Sequence, residues 1–208
     1  MSVKLHSEQI SKRLFISVLI IVMSLLCISI PLIVSQYQHY NKARQALIEI
    51  ESLKAVADLA NRISRERGPA NMAMSSTPEQ LKKNLADLQT YRAGVDQQIT
   101  ETFEILKQSG FDSLTGKMQS DLKNHLSVGR QQIDAYIQTP IDQRSATKLD
   151  DAILQMFKAW DSSYVVLKTM VKQAESKDTG VADYYTLILI LADLRDQAGR
   201  LASNVMAH

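Results

Sequence analysis

The segment Leu14–Val34, LFISVLIIVMSLLCISIPLIV, constrains this chain more than any other feature. It runs for 21 residues without a charge. A helix needs about 20 apolar residues to cross the hydrocarbon core of a bilayer. The small polar interruptions, Ser17, Ser24 and Ser29, fit that reading, because a hydroxyl can bond back to a carbonyl of its own helix. A cleaved leader has a shorter apolar core, of about 7–15 residues, and ends at a small-x-small site. The end of this run, IPLIVSQYQ, offers no such site. The segment therefore reads as a transmembrane signal anchor.

Flanking charge sets its direction. Lys4, Lys12 and Arg13 precede it, and the first basic residues after it are Lys42 and Arg44. The positive-inside rule then places 1–13 in the cytoplasm and 35–208 on the far side of the lipid bilayer. Tyr37 and Tyr40 suit the aromatic belt of that far interface. The bulk of the chain is then expected outside the cytoplasm behind a single span of a bacterial inner membrane, periplasmic if the cell is Gram-negative.

The far-side domain is expected to be all-α. Seven Gly, four Pro and 6% aromatic residues in 208 leave little turn or strand chemistry. No stretch alternates with period two for long enough to claim a strand. Instead apolar residues recur every three or four positions. Tyr40, Ala43, Leu47, Ile50, Leu53, Ala57, Ala60 and Ile63 form one stripe that continues the membrane helix. A rod of that kind can carry a displacement across the membrane, and its stripe can serve as a dimer seam. Gly68-Pro69 is expected to kink or end it.

Thr77-Pro78-Glu79-Gln80 reads as a capping box with Pro at the first helical position. The stripe Leu81, Leu85, Leu88, Val95, Ile99, Phe103, Leu106 follows, and Ser109-Gly110 stops it. A third helix carries Leu114, Met118, Leu122, Leu126 and Ile133. A fourth is expected to start at Thr139-Pro140-Ile141-Asp142, with Leu149, Ile153, Met156, Trp160, Tyr164, Leu167 and Val171 along one face. Asp178-Thr179-Gly180 separates the fifth. Its segment Tyr184–Leu191 is too short to span a bilayer and reads as a helix buried on most sides. Short turns between long helices imply an extended antiparallel up-and-down bundle.

Catalysis finds no support in the sequence. The four His residues have no metal-ligand spacing, and there is no phosphate-cradling Gly loop and no nucleophile elbow. Asp150-Asp151 point about 100° apart on a helix and read as a solvated face. A single cysteine, Cys27, excludes an internal disulfide and a multi-cysteine zinc site. A formal charge of +2 exerts no strong pull on nucleic acid. No cofactor is called for.

Two segments stand apart, Ala60–Met74 and Leu191–Ser203. Each sets arginines among small residues. The stripe Ala60, Ile63, Arg67, Ala70, Met74 turns Arg67 inward if the helix passes through Gly68. Arg195 lies among Ala192, Gly199 and Ala202. A buried guanidinium must be paired, and its planar fork suits carboxylate, nitrate or phosphate oxygens. Two converging forks would make a pocket for a small anion. The bland alternative is that Glu66, Asp193 or Asp196 already pairs with them. Arg62, Arg65 and Arg200 are expected to face water.

Arg65-Glu66-Arg67-Gly68 resembles the E-R-G motif of bacterial helical-bundle sensor domains. Leu194-Arg195-Asp196-Gln197-Ala198-Gly199-Arg200 resembles the L-R-D-x-A-G-R segment of the same group. These domains stand at the N-terminus of chemotaxis receptors, diguanylate cyclases and sensor kinases, and the nitrate- and nitrite-sensing domain is the best-defined relative. The resemblance implies a periplasmic module that senses a small-molecule anion. It implies Arg67 and Arg195 as ligand-binding residues, with Gly68 and Gly199 allowing close helix approach, and a homodimer. Such receptors return through a second membrane span to an output domain. This sequence shows neither, so the expectation is a truncated receptor, or one acting through a separate signalling partner. Helix 5 would then lack a partner for its apolar faces and leave the bundle marginally stable. The competing expectation is a non-catalytic single-pass scaffold or interaction protein.

Overall fold

The computed structural model describes residues 2–176 and 182–207, with side chains described for 12–176 and 183–205. The expected linker Asp178-Thr179-Gly180 lies outside the described residues. Among the described residues there are five α-helices: α1 (Ser2–Met74), α2 (Pro78–Gln108), α3 (Asp112–Gln138), α4 (Ala146–Ser176) and α5 (Ala182–Ala207). A 3-10 turn at Ile141–Gln143 joins α3 to α4, and no strand occurs among the described residues. The chain divides into two compact units, Met1–Gln45 and Ala46–His208.

In the first unit the apolar side chains of 14–34 are exposed all round the helix, from 45% at Val22 to 68% at Phe15. Nothing in this unit buries them. Ser17, Ser24 and Ser29 donate to the carbonyls of Arg13, Ile20 and Leu25, at 3.0, 2.8 and 2.7 Å. Each hydroxyl is thereby satisfied within its own helix, as an apolar surrounding requires. Of the described helices, α1 is long and apolar enough to cross a membrane.

In the second unit the helices pack round one apolar core. Leu53, Val56, Leu59 and Ile63 of α1 meet Leu88, Val95 and Leu106 of α2, Met118, Leu122 and Ile133 of α3, and Met156, Trp160 and Leu167 of α4. The α1 stripe is exposed at Tyr40, Leu47 and Ile50, whereas Leu53, Ala60 and Ile63 are buried inside the bundle.

Three expectations about boundaries need correction. First, α1 runs through Gly68-Pro69 and ends at Met74. Proline leaves one carbonyl unbonded and crowds the preceding residue's Cβ, but Gly68 has no Cβ to crowd. Buried Ala70, Ala73 and Met74 hold the last turn in place. Second, Thr77 makes no side-chain cap; its carbonyl accepts from the amides of Gln80 and Leu81 instead. Third, α4 begins at Ala146, and 139–145 is a connection rather than a helix start.

The end of α2 follows its sequence signal. Gly110 takes φ +78, the amide of Phe111 bonds the Leu106 carbonyl at 2.9 Å, and the amide of Gly110 bonds that of Lys107 at 3.2 Å. This is a Schellman closure, and it needs the left-handed conformation that glycine adopts freely.

Arg144, in the α3–α4 connection, ties two helix ends together. It donates to the carbonyls of Thr139 and Ile137 at 3.0 Å each, and to that of Met74 at 2.7 Å. A cation on C-terminal carbonyls also meets the negative end of both helix dipoles. Arg144→Ala is expected to lower the unfolding free energy by about 1–3 kcal/mol. Thermal denaturation of the full-length protein in detergent micelles measures it.

α5 corrects the sequence reading most. Of its described side chains Tyr185, Asp196 and Ser203 are buried, whereas Leu187, Leu191, Leu194, Leu201 and Val205 are 53–71% exposed. The segment Tyr184–Leu191 is therefore buried along one face only. The helix is rotated so that a carboxylate, not the leucine row, faces α1.

Candidate functional site

The two arginine-bearing segments do meet, through Arg67 and Asp196, which is the bland alternative of the sequence reading rather than two converging arginines. Arg67 is 3% exposed and Asp196 fully buried, and Arg67 Nη2 lies 2.7 Å from Asp196 Oδ1. The same nitrogen donates to Ser64 Oγ at 2.8 Å. Asp196 Oδ2 accepts from Arg200 Nε at 2.5 Å, and Arg200 Nη2 also pairs with Asp161 of α4. Arg200, expected to face water, is thus a partly buried member of the cluster. Both guanidiniums lie over the Phe157 ring, at 5.0 and 4.7 Å from its centroid. The cluster alternates in sign, Arg67–Asp196–Arg200–Asp161, and binds α1, α4 and α5 together.

Burial depresses the pKa of Arg67, and Asp196 offsets only part of that effect. For Arg200 burial also pulls downward, but the bonds and charges of Asp196 and Asp161 outweigh it, and the net shift is upward. Arg67 Nε and Nη1 are buried without a hydrogen-bond partner. The guanidinium is held at one corner only. Burying an unpaired donor is costly, so the carboxylate of Asp196 has to anchor the whole group.

Gly199 makes this contact possible. A Cβ built there would fall 2.5 Å from Arg67 Nη2 and 3.4 Å from Ser64 Oγ. Gly199→Ala is expected to displace Arg67 from Asp196 and to cost about 1–3 kcal/mol, as overpacking does. A denaturant melt of full-length wild type and variant, side by side, reads the difference. Gly68 has no such role, since a Cβ there would meet nothing within 4 Å. Its missing Cβ matters to Pro69, not to a neighbouring helix.

Arg195 does not converge with Arg67. It is exposed, one residue and so about 100° of helix away from the inward Asp196. It lines the rim of a pocket of about 220 Å³ between α1 and α5, floored by Trp160 of α4. Asp58, Asn61 and Ser64 of α1 and Asp196 of α5 line the same pocket. The pocket and the buried cluster therefore share Ser64 and Asp196. Arg62 and Arg65 are exposed, with Arg65 over the Tyr91 ring at 5.8 Å.

A second buried cluster centres on Glu66, which is fully buried. Arg130 of α3 holds it with two bonds, Nε at 2.8 Å and Nη2 at 2.7 Å. Arg92 of α2 lies 3.7 Å away and pairs with Asp134 at 2.9 Å. Arg130 reaches on to Asp96 at 2.7 Å. Burial lowers the Arg130 pKa, but Glu66 and Asp96 more than compensate and raise it overall. Adjacent Glu66 and Arg67 thus point about 100° apart around α1, one clamping α3 and the other α5. Sequence reasoning missed Arg92 and Arg130. The signal was present: each fills a seven-residue gap in an apolar stripe, between Leu88 and Val95 and between Leu126 and Ile133.

Among the described residues no group of three or more His, Cys, Asp or Glu side chains is placed to hold a metal ion. Comparison of the chain with protein-family models, curated proteins and solved structures finds no match.

Proposed function

We propose that the chain is a membrane-anchored sensor module. Residues 14–34 cross a bacterial inner membrane with 1–13 in the cytoplasm. Residues 35–208 form a periplasmic, antiparallel up-and-down bundle that binds a small ligand carrying an anionic group. Contact pairs support the helix order: Thr102 of α2 donates to the Ala55 carbonyl, while Asn84, earlier in α2, meets Ser76 beyond the end of α1.

One observation carries the sensing role. The pocket rimmed by Arg195 opens directly onto Ser64 and Asp196, two members of the buried cluster that joins α1 to α5. A ligand anion on Arg195 would change the field at Asp196 and bias how firmly α5 holds α1. Bound state and helix contact are then linked, which is what a sensor requires. The test is a thermal shift of the full-length protein in nanodiscs with a panel of nitrate, acetate, phosphate and the L-amino acids. The reading expects at least one member of the panel to raise Tm and Arg195→Gln to abolish the rise. No shift with any member, in a protein that melts cooperatively, would count against it.

A second reading, a non-catalytic scaffold, draws on the outer face of α5. Tyr184, Leu187, Leu191, Leu194, Ala198, Leu201 and Val205 repeat at steps of three and four on its exposed side. That is the spacing of a coiled-coil seam. Arg195 and Asp183 are the only charges flanking it closely, so little opposes a second copy, and anchoring in one membrane would present both copies in parallel. Leu187→Glu with Leu194→Glu is expected to convert a nanodisc-captured dimer to monomer. A wild-type monomer would remove this reading.

A further inference from the structure

The pocket between α1 and α5 carries a second charge that a simple anion would not use. Asp58 lines it opposite Arg195, and the described residues give neither side chain an ion-pair or hydrogen-bond partner. Asn61 Oδ1, on the same wall, is buried and accepts no hydrogen bond. The pocket thus offers one unspent cation, one unspent anion and one unspent acceptor. Ser64 and Asp196 line it too but are engaged with Arg67, and the remaining lining is apolar: Trp160, Ile188, Leu191 and small alanines.

Spacing narrows the occupant. Ser64 meets Asp196 at 3.4 Å, and Arg67 lies beyond it against Gly199, so α1 and α5 run in the same sense here. Asp58 is six residues before Ser64 and Arg195 one before Asp196. Their backbones are therefore offset by about 7.5 Å along the helices at 1.5 Å per residue. An ammonium and a carboxylate on one carbon, each with a hydrogen bond of about 3 Å to its partner, span such a gap. At about 220 Å³ the pocket is below the roughly 300–1,000 Å³ of sites for drug-sized ligands. It suits a molecule of a few heavy atoms.

We propose that this pocket binds a free α-amino acid. Its carboxylate sits on Arg195, its ammonium on Asp58 and Asn61 Oδ1, and its side chain lies against Trp160, Ile188 and Leu191. Nitrate or phosphate would gain Arg195 but face the carboxylate of Asp58 without compensation, because the charge of Arg67 is already spent on Asp196. The inference rests on the sensor reading and names the ligand class for the same pocket.

The experiment is calorimetric titration of the full-length protein in nanodiscs with each of the twenty L-amino acids. Any binder is compared with its analogue lacking the amino group and its analogue lacking the carboxyl group, and with nitrate and acetate. At least one amino acid is expected to bind. Removing either charged group from it, or introducing Arg195→Gln or Asp58→Asn, should weaken binding roughly tenfold to a hundredfold, the worth of one hydrogen bond to a charged group. Arg195 and Asp58 are exposed, so the unliganded melting curve checks that both variants remain folded. If nitrate or acetate binds and Asp58→Asn leaves it unchanged or tighter, the amino-acid assignment fails and the anion sensor stands. Amino-acid binding indifferent to both variants places the site elsewhere and overturns the assignment. If none of these compounds binds, both readings fall.

Discussion

Asp196→Ala is expected to lower the unfolding free energy by about 3–5 kcal/mol, the cost of leaving a buried charge without its partner. The carboxylate is fully buried and is the ion-pair partner of Arg67, itself 3% exposed. Two of the guanidinium nitrogens already lack hydrogen bonds. Without Asp196 the group would be held by Ser64 and the Phe157 ring alone. Arg200 would keep Asp161 and lose its second carboxylate. Adding Arg67→Met to Asp196→Ala should recover much of the loss, because a matched apolar replacement of a buried pair is often nearly neutral. Asp193→Ala, one turn away with a single 3.5 Å bond to Gln197, should change stability by no more than about 0.5 kcal/mol. Urea melts of the full-length protein in a mild detergent compare the four chains.

Glu66→Ala ranks next, at about 3 kcal/mol, by the same argument on the neighbouring face of α1. The two bonds from Arg130 and the nearby Arg92 charge both converge on this carboxylate. The loss should fall short of that at Asp196, because Arg130 and Arg92 retain Asp96 and Asp134, both partly open to water. Asp96→Ala should cost no more than about 1 kcal/mol, as an exposed partner does, and that loss should shrink with added salt. Glu66→Gln keeps the shape and loses the charge, so it separates packing from electrostatics. A variant that melts like wild type would mean that the Glu66–Arg130 pair carries no net weight.

The five helices were legible because their apolar stripes are long and their breaks are chemically distinct. Gly110 at φ +78 and Pro78 at the start of α2 mark their boundaries in the sequence itself. The connection at 139–145 was misread because a cap-like Thr-Pro-x-Asp also suits a 3-10 turn, and because Arg144 ties that loop to helix ends distant in sequence. The candidate site was half legible. Arg67 fell on an apolar stripe, and its burial follows from that position. The rotation of α5 did not follow, because its leucine row outranks Asp196 on any hydrophobic count. A tertiary ion pair fixed the rotation, and it involves residues more than a hundred positions apart. Arg200 was assigned to water because only its Asp196 partner is legible in the sequence, at i,i+4 spacing; Asp161 and the Phe157 ring belong to another helix.

The buried clamp also explains the placement of the small residues. Gly199 stands where a methyl group would strike Arg67, and the pocket beside it is walled by Ala57, Ala60 and Ala192. Small side chains here leave room for a cation on one side of Ser64 and an open hollow on the other. Helix contact and ligand space are thus made by the same stretch of sequence.

A double-mutant cycle over Arg67→Met and Asp196→Ala, measured on the full-length protein, asks most directly whether the two distant segments are bound through this pair. Coupling of about 2 kcal/mol or more is expected, near the upper range for residues in direct contact. Single-mutant losses that simply add, to within about 0.5 kcal/mol, would mean that Arg67 and Asp196 do not meet. The clamp, and the pocket's link to it, would then be contradicted.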